Sequence, residues 1–178
     1  MKKVKFNTRS ITAAAIIGAA YAALTMLLAP ISYGAIQCRV SEVLCILPFF
    51  IPTSAWGLFI GCAIANVLMG NVFDIVFGSL ATLAASLLTA YIGKRGQSMK
   101  HCILACLMPV LFNAIVVGAV ITQAYMGANI LENFGVFALN ALYVGIGEAI
   151  VLFALGLPLM RYLPKKRFFR EYVNKINA

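Results

Sequence analysis

Polar residues are sparse enough along this chain to punctuate it. From Ile11 to Ala29 the only polar side chains are Thr12, Tyr21 and Thr25, and Pro30 ends the run. Further apolar runs cover about Val40–Ile51, Ala55–Met69, Val72–Ile92, Cys102–Tyr125 and Phe134–Leu159. A helix that crosses a bilayer needs ~20 apolar residues, so most of these runs predict spans. The second run is short and holds Pro48, with Pro52 just beyond, which predicts a kinked or partly inserted helix covered by its neighbours. The Gly70-Asn71 pair turns the third run into the fourth. A basic start followed by an apolar run also marks a signal peptide. Here the run is long for that role and leads into further spans, so it is expected to be retained. The pattern predicts an all-α, polytopic membrane protein of six transmembrane helices in one bundle. Residues 10–163 form that bundle, and 1–9 and 164–178 are basic cytoplasmic tails.

Composition supports the membrane reading. The chain has 178 residues, 63% hydrophobic and 11% charged, whereas a soluble domain has about half and about a quarter. Five cysteines (38, 45, 62, 102 and 106) lie in or beside apolar runs without a CxxC pair. They read as small membrane-helix fillers, and no metal or other cofactor is called for.

Charge placement gives an orientation. With six spans, the N-tail, the basic loop 93–101 and the C-tail fall on one side and hold thirteen of the fourteen lysines and arginines; Arg39 is the exception. The positive-inside rule puts that side, with both termini, in the cytoplasm of a multi-pass cell-membrane protein. The net charge of +9 is thus an orientation device and a partner for anionic lipid headgroups; no nucleic-acid readout module accompanies it. Glu42, Asp74 and Glu132 fall on the outer side with Arg39.

Two places concentrate candidate chemistry. Between the first two runs, Tyr33 to Pro48 carries Gln37, Arg39, Ser41 and Glu42 nearly side by side, as a lid or rim of a small-molecule site would; a solvated loop with an ion pair is the plainer alternative. The second is Glu148, about 14 residues into the sixth run. A carboxylate at that depth costs a few kcal/mol or more and calls for a polar cavity or a partner. Asn113 reaches a similar depth from the fifth run, and Asn140 flanks the face that holds Phe137, Val144 and Glu148. Asn113, Asn140 and Glu148 are therefore expected to converge, the alternative for the asparagines being interhelical hydrogen bonding. Tyr33 and Phe137 belong to the aromatics that serve as belt or core residues, or stack on a planar ligand.

The first run also carries two ladders of small residues at spacing four, Ala14-Gly18-Ala22 and Ala15-Ala19-Ala23. Each suits close helix approach, either inside the bundle or against another subunit. The chain has no G-x-x-x-x-G-K-[ST] loop, and its single histidine, His101, has no acid or nucleophile near it in sequence, so neither an ATPase nor an intramembrane enzyme is expected.

The string Gly34-Ala35-Ile36-Gln37-x-Arg39-Val40-Ser41-Glu42, followed by Leu47-Pro48 after a small-residue first helix, resembles the QueT family of queuosine-precursor transporters. These are substrate-binding S components of energy-coupling factor (ECF) transporters. The resemblance, over about residues 10–163, implies a subunit that captures a 7-deazaguanine. It implies docking through the first helix on a transmembrane coupling subunit, energised by two cytoplasmic ATPase subunits. Either ladder fits that docking. Glu148, then Glu42, would read the guanine edge; Asn113 and Asn140 would pair with its other polar atoms, Asp74 or Glu132 would attract a cationic substituent at the outer rim, and Arg39 would orient Glu42. An S component for another vitamin or nucleobase, and a small self-sufficient carrier or channel, remain alternatives.

Overall fold

The computed structural model describes residues 7–32, 38–70 and 72–177. Among them every regular element is helical. The main helices are α1 (Thr8–Leu27), α2 (Ser54–Leu68), α3 (Asp74–Arg95), α4 (Met99–Tyr125), α5 (Phe134–Lys165) and α6 (Arg167–Asn177). Between α1 and α2 run a single turn, Ala29–Ser32, and a 3-10 helix, Val40–Phe49. α1, α3, α4 and α5 are long and apolar enough to cross a membrane, whereas Val40–Phe49 and α2 are shorter apolar helices.

The bundle differs from a soluble protein in its apolar surface and its buried charges. Ile11, Ile16, Leu27, Ile60, Val67, Leu80, Leu111, Ile115 and Ile150 face outward, while Arg39, Glu42, Asp74, Asn66, Asn113 and Glu148 are buried. Apolar surface of that extent matches lipid, and polar groups then find their partners only inside. The chain is a multi-pass membrane protein.

α1 packs along α2 at backbone contact. A Cβ on Gly18 would fall inside the van der Waals shell of the Gly57 carbonyl oxygen, and one on Gly61 inside that of the Gly18 carbonyl oxygen. Ala14, Gly18 and Ala22 therefore face α2 and are buried, whereas Ala15, Ala19 and Ala23 lie on the exposed side.

The Val40–Phe49 helix touches α1, α2, α3, α4 and α5, and so lies at the centre. Wound as a 3-10 helix, its ten residues reach ~20 Å where an α-helix would reach ~15 Å, which lets a short proline-containing segment cover more depth. Its lower half, with Ile46 and Phe49, enters an apolar core with Ile92, Cys106, Leu152 and Met160. Its upper half, from Arg39 to Glu42, lies in the polar half of the interior.

The sequence pattern leaves residues 164–178 as a tail, but most of it is the helix α6, folded back on the bundle. Asn7 Nδ2 donates to the Ile176 carbonyl at 3.3 Å, and Phe50 meets Phe169 edge-on at 5.4 Å. Gln97, between α3 and α4, shares a small cavity with Pro164 and Lys165. The start of α1, the basic 93–101 loop and α6 thus gather at one end, away from the buried carboxylates.

Candidate functional site

The polar half of the interior starts from the register of the 3-10 helix. In such a helix side chains three apart eclipse one another, so Cys45 falls directly over Glu42 and its Sγ donates to Glu42 Oε2 at 2.9 Å. The Tyr21 hydroxyl of α1 donates to the other oxygen, Oε1. One turn further along α1, Thr25 and Ser41 hydroxyls pair at 2.6 Å, and Thr25 Oγ1 also donates to the Tyr21 carbonyl at 2.8 Å. Both Glu42 oxygens thus have partners, and the 3-10 helix is bolted to α1.

Glu148 is held differently. Asn113 Nδ2 of α4 donates to Glu148 Oε1 at 3.1 Å, while Oε2 is buried and has no hydrogen bond among the described residues. The Glu42 carboxylate and the Arg39 guanidinium both act on Glu148 through space. Cys38, at the mouth of the 3-10 helix, points its Sγ to the Gly147 carbonyl at 3.8 Å. Burial, and then the Glu148 carboxylate, push the Cys38 thiol up from its ordinary value.

Asp74 opens α3 in a π-helical turn, Asp74–Gly78, and its backbone carbonyl accepts Asn66 Nδ2 of α2 at 2.8 Å. The Tyr125 hydroxyl lies beside its carboxylate, and Arg39 acts on both groups. Oδ1 is buried and has no hydrogen bond among the described residues. Tyr125 itself closes a second π-helical turn, Ile121–Tyr125. Such turns re-aim side chains and recur at functional sites. Three buried carboxylates and one buried guanidinium therefore share this half of the bundle.

The expected three-way convergence is only half present. Asn113 and Glu148 meet, but Asn140 Nδ2 donates to Thr122 Oγ1 at 2.9 Å and approaches Met126 Sδ at 3.3 Å. The reason is helical geometry. Eight residues place Asn140 ~12 Å from Glu148 along α5 and about 80° around it, towards the end of α4. Phe137 lies further out still, with its ring centroid 5.8 Å from that of Phe134. Glu132 is exposed and accepts Asn129 Nδ2 at 3.2 Å. Tyr33 and Gln37 lie outside the described residues.

Sequence reasoning missed Tyr21, Cys45 and Asn66. Tyr21 was discoverable as the lone large polar side chain in an alanine-rich run. Cys45 follows Glu42 by three residues, a spacing that makes neighbours in an α-helix as well, and the 3-10 winding brings the pair into eclipse.

Residues 11–165 match the family described as QueT transporter. The queuosine precursor transporter QueT of Lactococcus lactis subsp. cremoris (strain MG1363) is 45% identical over 85 residues, 47% of this chain and 49% of that protein. The match spans about half the length of that relative. No solved structure matches the chain. With the family match running from α1 to the end of α5, over a bundle whose apolar surface faces outward, this chain belongs to the QueT transporter family.

Proposed function

We propose that this chain is the substrate-binding S component of an energy-coupling factor transporter, capturing a 7-deazaguanine precursor of queuosine. The observation that carries the reading is the Glu148–Asn113 pair, with one buried carboxylate oxygen unengaged by the described residues. A guanine-type edge presents two parallel N–H donors, and an acceptor-only carboxylate is their natural complement. Glu148 suits that role better than Glu42, whose two oxygens already hold Tyr21 and Cys45. The relative's queuosine-precursor name agrees with this substrate class. Arg39 completes the site on the outer side, Asn140 lines its approach, and the sequence alone assigns Tyr33 and Gln37 to a lid.

Asp74 offers a buried carboxylate oxygen, Oδ1, that the described residues leave without a hydrogen bond, and such an acceptor suits an aminomethyl substituent, as an ammonium, better than a nitrile. Asp74 Oδ1 is its partner in this reading.

Counting Val40–Phe49 and α2 as spans gives six, with both termini on the end that gathers the basic residues. The positive-inside rule makes that end cytoplasmic in the cell membrane, and makes the carboxylate end the outer face. Residues 10–163 are then the S-component bundle, between short basic tails at 1–9 and 164–178. Docking on the transmembrane coupling subunit falls to Ala15, Ala19 and Ala23. Ala15 and Ala19 line an apolar groove of about 410 Å³ with Trp56, Ile60 and Ile64, and Ala23 is exposed one turn further along α1. Ala14, Gly18 and Ala22 serve the α1–α2 contact, with Ala14 and Gly18 also reaching the floor of the groove. Two cytoplasmic ATPase subunits supply the energy.

Co-expression with a coupling subunit and two ATPase subunits, followed by uptake of labelled 7-deazaguanines into proteoliposomes, tests this assignment. Uptake that needs ATP and all four subunits is expected. Uptake by this chain alone would replace the assignment with a self-sufficient carrier.

A further inference from the structure

α6 divides its apolar side between two environments. Phe169, Val173 and Ile176 turn into the bundle, where Phe169 and Val173 pack on the apolar core and Ile176 is buried within it. Phe168 and Tyr172, one turn apart on the flank, do not. Their rings stack at 6.2 Å with 11° between planes, and they remain 80% and 40% exposed. The anchored stripe fixes the helix, so this exposure is a set orientation.

The surroundings of these two rings are strongly basic. Lys165, Lys166, Arg167, Arg170 and Lys175 lie on the helix or its approach, and the one carboxylate, Glu171, is taken by Arg167 at 2.7 Å. Lys166 lies 4.6 Å from the centre of the exposed Tyr162 ring. Across the joint with α1, Arg9 and Lys175 line a cleft of about 420 Å³ with Thr8, Thr12 and Tyr172. A helix with exposed aromatics on one flank and surplus cations beside them lies well in a bilayer interface. Its rings enter the acyl boundary and its cations meet lipid phosphates.

We propose that α6 is an interfacial lipid-binding helix. It seats Phe168 and Tyr172 in the headgroup–acyl boundary and holds anionic phospholipids through Arg9, Lys166, Arg170 and Lys175. Juxtamembrane basic residues gain from anionic lipid in proportion to their number, and charge complementarity favours a lipid surface over an apolar protein partner here.

The test uses the full chain in vesicles, with Trp56→Phe and Phe168→Trp leaving a single tryptophan, on α6. Both positions are well exposed, so the fold should persist. Lipids brominated near the headgroup end of the acyl chain should strongly quench the introduced indole, and acrylamide from the aqueous phase should not. Separately, unfolding should occur at a higher temperature in phosphatidylglycerol vesicles than in phosphatidylcholine vesicles. That difference should shrink in Arg9→Gln/Arg170→Gln/Lys175→Gln, which keeps only Lys166 of the four. An indole reached by acrylamide and not by bromolipid would overturn the seating and leave the flank to a protein partner. Equal unfolding temperatures in both lipids, or a difference undiminished by the triple substitution, would overturn the headgroup role.

Discussion

Asn113 donates its side-chain amide to Glu148 Oε1 across 3.1 Å, tying α4 to α5 where both side chains are fully buried. The bond fixes the carboxylate's rotation and so aims its second oxygen into the bundle. Asn113→Leu removes the only hydrogen-bond donor that the described residues give Glu148. The ligand-free protein should lose about 1–3 kcal/mol, read from thermal unfolding, and ligand binding should weaken with it. An unchanged unfolding curve would mean that the bond carries no weight.

Tyr21→Phe tests the other carboxylate. The substitution keeps the ring and removes the hydroxyl donated to Glu42. Stability should fall by about 1–3 kcal/mol, because a buried acceptor loses its donor. Chemical denaturation of the purified protein measures it, and a loss indistinguishable from zero would show Cys45 to be sufficient.

The two faces of α1 should respond oppositely to bulk. A side chain at Gly57 would begin inside the van der Waals shell of the Ala14 carbonyl oxygen, so Gly57→Val should cost more than the ~1–3 kcal/mol of ordinary overpacking and leave little folded protein. Ala19→Leu, on the exposed side, should change stability by no more than ~0.5 kcal/mol. It should keep ligand binding and lower coupled uptake. Full uptake by Ala19→Leu would remove that face from the docking surface.

Asp74→Asn should separate the two forms of substrate. Losing the charge removes a charge-assisted hydrogen bond worth ~1.5–3 kcal/mol, so affinity for an aminomethyl 7-deazaguanine should drop roughly 10- to 100-fold. The nitrile form should be nearly unaffected in calorimetric titration. Equal losses for both would place Asp74 in the scaffold and not at the ligand.

Much of this arrangement was legible in the sequence. The four longest apolar runs became helices within a few residues of their expected bounds, because ~20 consecutive apolar residues admit few other structures. The depth match between Asn113 and Glu148 followed from rise per residue alone. Asn140 did not, since a face shared to within a flank at one end of a helix drifts away over two turns. The 3-10 winding of Val40–Phe49 was hidden, because Pro48 signals irregularity without saying which kind. The choice between the α1 ladders was hidden too. Both have spacing four, and only Gly57 and Gly61 on the facing helix decide which one is internal. α6 escaped because its alternation of charge and aromatics spans only three turns, and its partner Phe50 lies far away in sequence.

The central claim is that Glu148 reads the edge of a 7-deazaguanine, and ligand-dependent thermal stabilisation tests it most directly. Parent and Glu148→Gln proteins would be heated with guanine, the nitrile and aminomethyl 7-deazaguanines, queuine, riboflavin and thiamine. A ligand at ~100 times its dissociation constant adds about 2.7 kcal/mol. Stabilisation of the parent confined to the deazaguanines, and lost in Glu148→Gln, is the predicted result. Equal stabilisation of both proteins by a deazaguanine would contradict the role given to Glu148, and stabilisation by riboflavin or thiamine alone would contradict the substrate.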